Sequence, residues 1–146
     1  MRDFMAEYRV LVSYPKHIVL LLARLTIAYG FAMPALMKVH DIDATGKWFA
    51  SEGIPLAHTA AVLVSTIETA GIILLTLGLF TRFISLLLAC VMLGAIFFVH
   101  LPHGFSVANN GYEIALYYLI FLMTFATFGP GKYSIDALIF KEGKDA

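Results

Sequence analysis

The chain has 146 residues, 60% of them hydrophobic and 14% charged, with ten basic and ten acidic side chains and a formal net charge of zero. A mean hydropathy of +0.84 excludes an ordinary soluble domain, and the lack of a long basic run argues against a nucleic-acid binder. A single cysteine, Cys90, excludes a disulfide framework, a dithiol redox centre and a four-thiolate metal site within the chain.

Residues 1–16 form a polar lead that carries Arg2, Arg9 and Lys16 and is expected on the cytoplasmic side. The apolar run that follows continues without a small-residue cleavage site, so it reads as an uncleaved first span over 17–37. That span is apolar except for Arg24. Steps of one helical turn from Arg24 reach Ala28, Phe31, Ala35 and Lys38, a stripe charged at both ends and mostly small between. Small residues let helices approach closely in lipid, so this face is predicted to look into a bundle. Pro34 predicts a disturbed last turn.

The chain then turns polar, with Asp41, Asp43, Lys47 and Glu52 around Trp48 and Phe49. The pattern predicts a short interfacial helix at 44–52, with Asp43 or Thr45 near its N-cap, both aromatic rings in the headgroup layer, and Gly53 ending it.

The second span, 57–79, holds one carboxylate, Glu68, at its middle. At 1.5 Å per helical residue the run crosses a hydrocarbon core of ~30 Å, which places Glu68 near the midplane. A carboxylate there costs at least ~2.5 kcal/mol and requires a partner or a proton. Counting turns puts Glu68 ~16 Å from one face and Arg24 ~10 Å from the other, nearly level, so an Arg24–Glu68 ion pair is the expected partnership. The third span, 83–101, follows a tight link with Thr81 as its expected cap, and ends at His100. A loop with His103, Asn109, Asn110 and Gly111 leads to the fourth span, 113–128, which opens with Glu113 and continues that face with Tyr117, Thr124 and Thr127. Gly129-Pro130-Gly131 stops it. Residues 130–146 form a tail with a short amphipathic turn.

The expected fold class is therefore all-α, an integral membrane four-helix bundle with a short interfacial helix between spans one and two. With Arg24 set aside as intramembrane, Arg2, Arg9, Lys16, Arg82, Lys132, Lys141 and Lys144 fall on one side, and Lys38 and Lys47 on the other. That bias predicts a multi-pass inner membrane protein with both termini cytoplasmic.

The polar side chains form a column. Lys38, His100 and Glu113 near the outer mouth are the candidates for proton chemistry, and Arg24, Glu68, His103, Asn110 and Tyr117 for holding a ligand. Each has a structural alternative: Arg24 and Glu68 as a register-fixing pair, Lys38 and Glu113 as snorkelling chains. His100 and His103 have His-x-x-His spacing, but Pro102 breaks the helical geometry between them and no metal is expected. Cys90 reads as packing. Phe97, Phe98, Tyr112, Tyr117 and Tyr118 read as interfacial or core aromatics on a surface that would also suit a quinone ring.

Arg24 with Lys38, the Gly53-Ile54-Pro55 turn, Glu68 followed by Gly71 and the Leu77-Gly78-Leu79-Phe80-Thr81-Arg82 link, Asn110-Gly111-Tyr112-Glu113, and Gly129-Pro130-Gly131-Lys132-Tyr133-Ser134-Ile135-Asp136 together resemble the DoxX family of small four-span membrane proteins. The resemblance runs from Val19 to about Leu138. Where the family usually has a pair of glycines before the Tyr-Glu, this chain has Asn110-Gly111. The resemblance implies a four-helix membrane bundle, associated in some relatives with sulfur oxidation and thiosulfate:quinone oxidoreductase activity, and in others with quinone or thiol stress responses and partner oxidoreductases. The expected function is a membrane subunit of a quinone-linked redox system, holding a quinone or similar amphiphile in an intrabundle polar pocket, with quinone as the expected cofactor. Membrane lipid, a partner oxidoreductase subunit and a second copy of the chain are the expected partners. The alternatives are a non-catalytic scaffold or assembly factor for such an oxidoreductase, and a small proton-coupled transporter.

Overall fold

The computed structural model describes residues 5, 7, 8, 10, 13 and 15–141. Arg2, Arg9 and Lys144, part of the charge count above, lie outside the described residues. Among the described residues, the regular structure is helical: α1 Lys16–His40, α2 Ile42–Ser51, α3 Ala57–Leu77, α4 Thr81–Gly94, α5 Glu113–Phe128 and α6 Ile135–Ile139. A π-helical turn, Ala95–His100, and a 3-10 turn, Leu101–His103, prolong α4, and a second 3-10 turn, Val107–Asn109, precedes α5.

Three helices, α1, α3 and α4 with its extension to His103, are long and apolar enough to cross a membrane. The fourth, α5, has 16 residues, about 24 Å of helix against a core of ~30 Å. The four form a bundle in which α1 packs on α3, α3 on α4, α4 on α5, and α5 returns to α1. The centre is filled by Ile27, Phe31, Leu75, Leu88, Leu122 and Phe125. The outward faces carry exposed Leu22, Met33, Leu36, Ile73, Leu86 and Ile120, a surface suited to acyl chains. On α1 the stripe Arg24, Ala28, Phe31, Ala35 is buried, because its small members let the neighbouring helices close over it.

Several local expectations are corrected. α1 runs three residues beyond its expected end at Met37, to His40, with Pro34 inside it. The cap of α2 is Asp41, whose Oδ1 accepts from the Ala44 N–H at 2.8 Å; Thr45 instead donates to the Asp41 carbonyl at 2.8 Å, and Asp43 lies 3.2 Å from His58 Nε2. Gly46 brings α2 down onto α3, since a Cβ there would come 3.2 Å from the His58 Cα.

Thr81 does not cap α4. The Asp136 carboxylate does so from the far end of the chain, accepting from Phe80 N–H at 2.8 Å and Thr81 N–H at 2.9 Å, while the Asp136 N–H donates to the Gly78 carbonyl at 2.9 Å. Arg82 adds bonds to the carbonyls of Ala126 at 2.8 Å and Thr127 at 2.6 Å. The segment after α5 thus closes the end of the bundle opposite α2.

Candidate functional site

Long side chains on a helix lean toward its N-terminus. Lys38, near the α2 end of α1, therefore reaches back toward the middle of the bundle, where Glu68 projects from the inward face of α3. The Lys38 ammonium donates to Glu68 Oε2 at 2.8 Å and to Oε1 at 3.1 Å. The side chains are 17% and 3% exposed, so this is a charge-assisted pair largely withdrawn from solvent.

The pair replaces the expected Arg24–Glu68 bridge. The same lean carries Arg24 away from the midplane, and its guanidinium fork donates to the carbonyls of Pro130 and Tyr133, each at 2.7 Å. Beside it, His17 Nδ1 accepts from the Lys132 N–H at 3.2 Å. Arg24 holds the segment after α5 in place.

The Lys38–Glu68 pair lines a cavity of about 630 Å³ between the helices and beneath α2. Its walls are Gly30, Phe31 and Pro34 of α1, Trp48 and Phe49 of α2, Leu63, Val64 and Ile67 of α3, Leu87, Cys90, Val91, Gly94 and Phe98 along α4 and its extension, and Ala115 and Tyr118 of α5. Besides Lys38 and Glu68, His100 and Asn110 contribute polar groups to the lining. A volume of this order, apolar walls and a few convergent polar atoms are the attributes of a small-molecule site.

His100 closes the π-helical turn, a departure from α-geometry that often re-aims side chains at functional positions. Its Nδ1 lies 2.8 Å from the Asn110 carbonyl oxygen. A carbonyl only accepts, so Nδ1 carries the proton and Nε2 is the ring atom left for another partner. Asn110 adopts the left-handed conformation at φ 60°, which Asn tolerates, and at Gly111 a Cβ would collide with the carbonyl oxygens of Gly104 and Phe105. Asn110-Gly111 thus builds the turn with one glycine.

Of the residues singled out from sequence, Lys38, Glu68, His100 and Asn110 meet at the cavity. Arg24, His103, Glu113 and Tyr117 lie outside its lining. Glu113 accepts from the Val107 N–H at 2.9 Å and from the Tyr117 hydroxyl at 3.0 Å, so both side chains organise the loop before α5. His103 is exposed on its 3-10 turn, and among the described residues no group of three or more His, Cys, Asp or Glu could hold a metal ion.

Sequence reasoning placed Tyr118 only among the aromatics that would suit a quinone ring, and it missed Trp48 and Cys90 as members of the lining. Tyr118 lays its hydroxyl against Gly30, where a Cβ would collide with it, and its ring lies 5.3 Å from that of Phe31. Trp48 looked purely interfacial. Cys90, read as packing, is exposed on the cavity wall. The stripe Leu87, Cys90, Gly94, Phe98 at helical spacing was the available signal.

The DoxX family model matches residues 19–101, the stretch that carries both Lys38 and Glu68. The chain belongs to the DoxX family. It is 35% identical over 125 residues to an uncharacterized protein of Haemophilus influenzae, covering 82% of this chain and 89% of that one. It is 30% identical over 130 residues to the Escherichia coli "Inner membrane protein YphA", covering 82% and 89%. It is also 30% identical over 125 residues to the Bacillus subtilis "Putative oxidoreductase CatD", covering 86% and 90%. No solved structure matches this DoxX chain.

Proposed function

We propose that this DoxX protein is the membrane subunit of a quinone-linked redox system of the inner membrane, with both termini cytoplasmic. The observation that carries the reading is the Lys38–Glu68 pair set in the wall of a largely apolar, aromatic-lined cavity. An ammonium has three donors, so Lys38 can serve Glu68 and still offer a hydrogen to a ring carbonyl oxygen. Glu68 can accept from the hydroxyl that replaces that carbonyl after reduction. The pair therefore matches both forms of a quinone, and Phe31, Trp48 and Tyr118 supply faces for its ring.

Reducing a quinone takes two electrons and two protons. The sequence has no haem, flavin or iron–sulfur motif, so the electrons come from a partner oxidoreductase. Lys38 would donate to one ring oxygen, and His100, with its proton on Nδ1, would accept through Nε2 from a hydroxyl of the reduced ring. The names of the CatD and YphA relatives, a putative oxidoreductase and an inner membrane protein, support an oxidoreductase role and an inner-membrane location. The test is extraction of the purified protein in mild detergent followed by mass spectrometry. Co-purified quinone in the wild type and its depletion in Lys38→Met/Glu68→Leu is the expected result. No quinone in either, with partner-linked quinone reduction unchanged in the double variant, would favour the scaffold reading.

A further inference from the structure

We infer that the Tyr118 hydroxyl and the Gly30 carbonyl form a second polar contact of the cavity, on another flank of α1 from Lys38–Glu68, and that the site therefore takes a ring with oxygens on opposite edges, a para-quinone. This rests on the quinone reading and narrows its substrate class.

The donor of the second contact is Tyr118. Its side chain is half-buried and lines the cavity, and its hydroxyl lies so close to Gly30 that a Cβ there would collide with it. Among the described residues that hydroxyl has no hydrogen-bond partner. A tyrosine hydroxyl withdrawn from bulk water usually finds one, so a hydroxyl left unbonded beside a cavity is open to a ligand. The acceptor comes from the backbone. Pro34 lies inside α1 and has no N–H, so the Gly30 carbonyl one turn earlier lacks its helix donor. Gly30 and Pro34 both line the cavity, which puts that carbonyl at its wall.

Depth brings the two contacts together. Gly30 lies ten residues from the end of α1 at His40, and Glu68 eleven from the start of α3 at Ala57. Counted from the ends that α2 joins, these are about 15 and 16 Å in, so the contacts are level, one where α1 meets α3 and the other where α5 meets α1. Trp48 and Asn110, which also line the cavity, are exposed at its mouth, and His100 there is bonded to the Asn110 carbonyl. Each deep contact pairs one donor with one acceptor, Lys38 with Glu68 and the Tyr118 hydroxyl with the Gly30 carbonyl. A quinone oxygen accepts when oxidised and donates when reduced, so each contact suits one ring oxygen in both forms. Two oxygens on one edge of a ring reach a single contact; two on opposite edges reach both.

The experiment is isothermal titration of the full chain in mild detergent with decyl-1,4-benzoquinone, its hydroquinone and 3-decylphenol, whose one ring oxygen anchors at Lys38–Glu68. Tyr118→Phe keeps the ring and removes the hydroxyl. It is expected to weaken quinone binding about tenfold, the scale of one lost hydrogen bond, and to leave 3-decylphenol unchanged. Pro34→Ala returns an N–H to the Gly30 carbonyl, and is expected to weaken hydroquinone binding about fivefold while leaving the quinone unchanged. Unchanged quinone affinity in Tyr118→Phe, or equal loss of quinone and 3-decylphenol, overturns the second contact while the quinone reading stands. A Pro34→Ala variant that alters neither the quinone nor the hydroquinone, or both equally, overturns it as well. Failure of both to bind the wild type removes the quinone reading and this proposal with it.

Discussion

Lys38 and Glu68 join α1 to α3 by a forked contact of 2.8 and 3.1 Å, with the carboxylate side chain only 3% exposed. A buried pair of this kind is costly to break and cheap to replace whole, because removing one member strands the other charge. Lys38→Met alone should lower unfolding stability by about 3 kcal/mol, and Lys38→Met/Glu68→Leu should recover most of that loss. Denaturation in mixed micelles, followed by circular dichroism, measures both. Equal destabilisation by the single and double variants would mean that Glu68 depends on something other than Lys38.

Arg24 makes a separate prediction. Its planar fork spans the Pro130 and Tyr133 carbonyls at once, a geometry that a lysine ammonium cannot reproduce. Arg24→Lys should cost about 1.5–3 kcal/mol, as expected for hydrogen bonds from a charged group, and should expose residues 129–140 to limited proteolysis. Quinone binding should persist, since Arg24 is outside the cavity lining. Loss of binding with the segment still protected would place Arg24 in the site after all.

Asp136 caps α4 across the bundle end, so Asp136→Ala should release the Phe80 and Thr81 amides. Hydrogen exchange at those two amides should accelerate strongly, with a stability loss of about 1–2 kcal/mol, in line with removal of a helix cap. Unchanged exchange there would show that Phe80 and Thr81 find other acceptors.

How much of this was legible in the sequence depends on what kind of information each feature needed. The apolar runs, the buried face of α1 from Arg24 to Ala35, and the polar cluster near the α2 end followed from composition and periodicity. The partner of Glu68 did not, because counting turns gives only the height of a Cα. Arg24 and Glu68 are level by that count, yet a long side chain on α1 leans toward its N-terminus, which lowers Lys38 toward Glu68 and carries Arg24 away. That rule was available and decides the pairing once the direction of α1 is considered. Asp136 as a cap was beyond local reading, since its partners Phe80 and Thr81 are far away in the chain. The cavity role of Cys90 and Trp48 required knowing where α3 and α4 part.

His100 tests the polar lining apart from the ion pair. Its Nδ1–H is bonded to the Asn110 carbonyl, leaving Nε2 for a ligand. His100→Phe should weaken binding of the reduced quinone about tenfold, equivalent to about 1.4 kcal/mol, and cost no more than about 1.5 kcal/mol in folding for the lost hydrogen bond. Isothermal titration with a short-tailed hydroquinone, beside thermal unfolding, separates the two effects. Unaltered affinity would confine His100 to holding the loop.

The central claim is that the Lys38–Glu68 pair is a ligand-binding floor rather than a register clamp. Titration of the sole tryptophan, Trp48, with a short-tailed quinone tests it most directly, comparing the wild type with Lys38→Met/Glu68→Leu, which should stay folded. The account predicts saturable quenching in the wild type and at least a tenfold loss of affinity in the double variant. Saturable quenching of equal affinity in both proteins would contradict it.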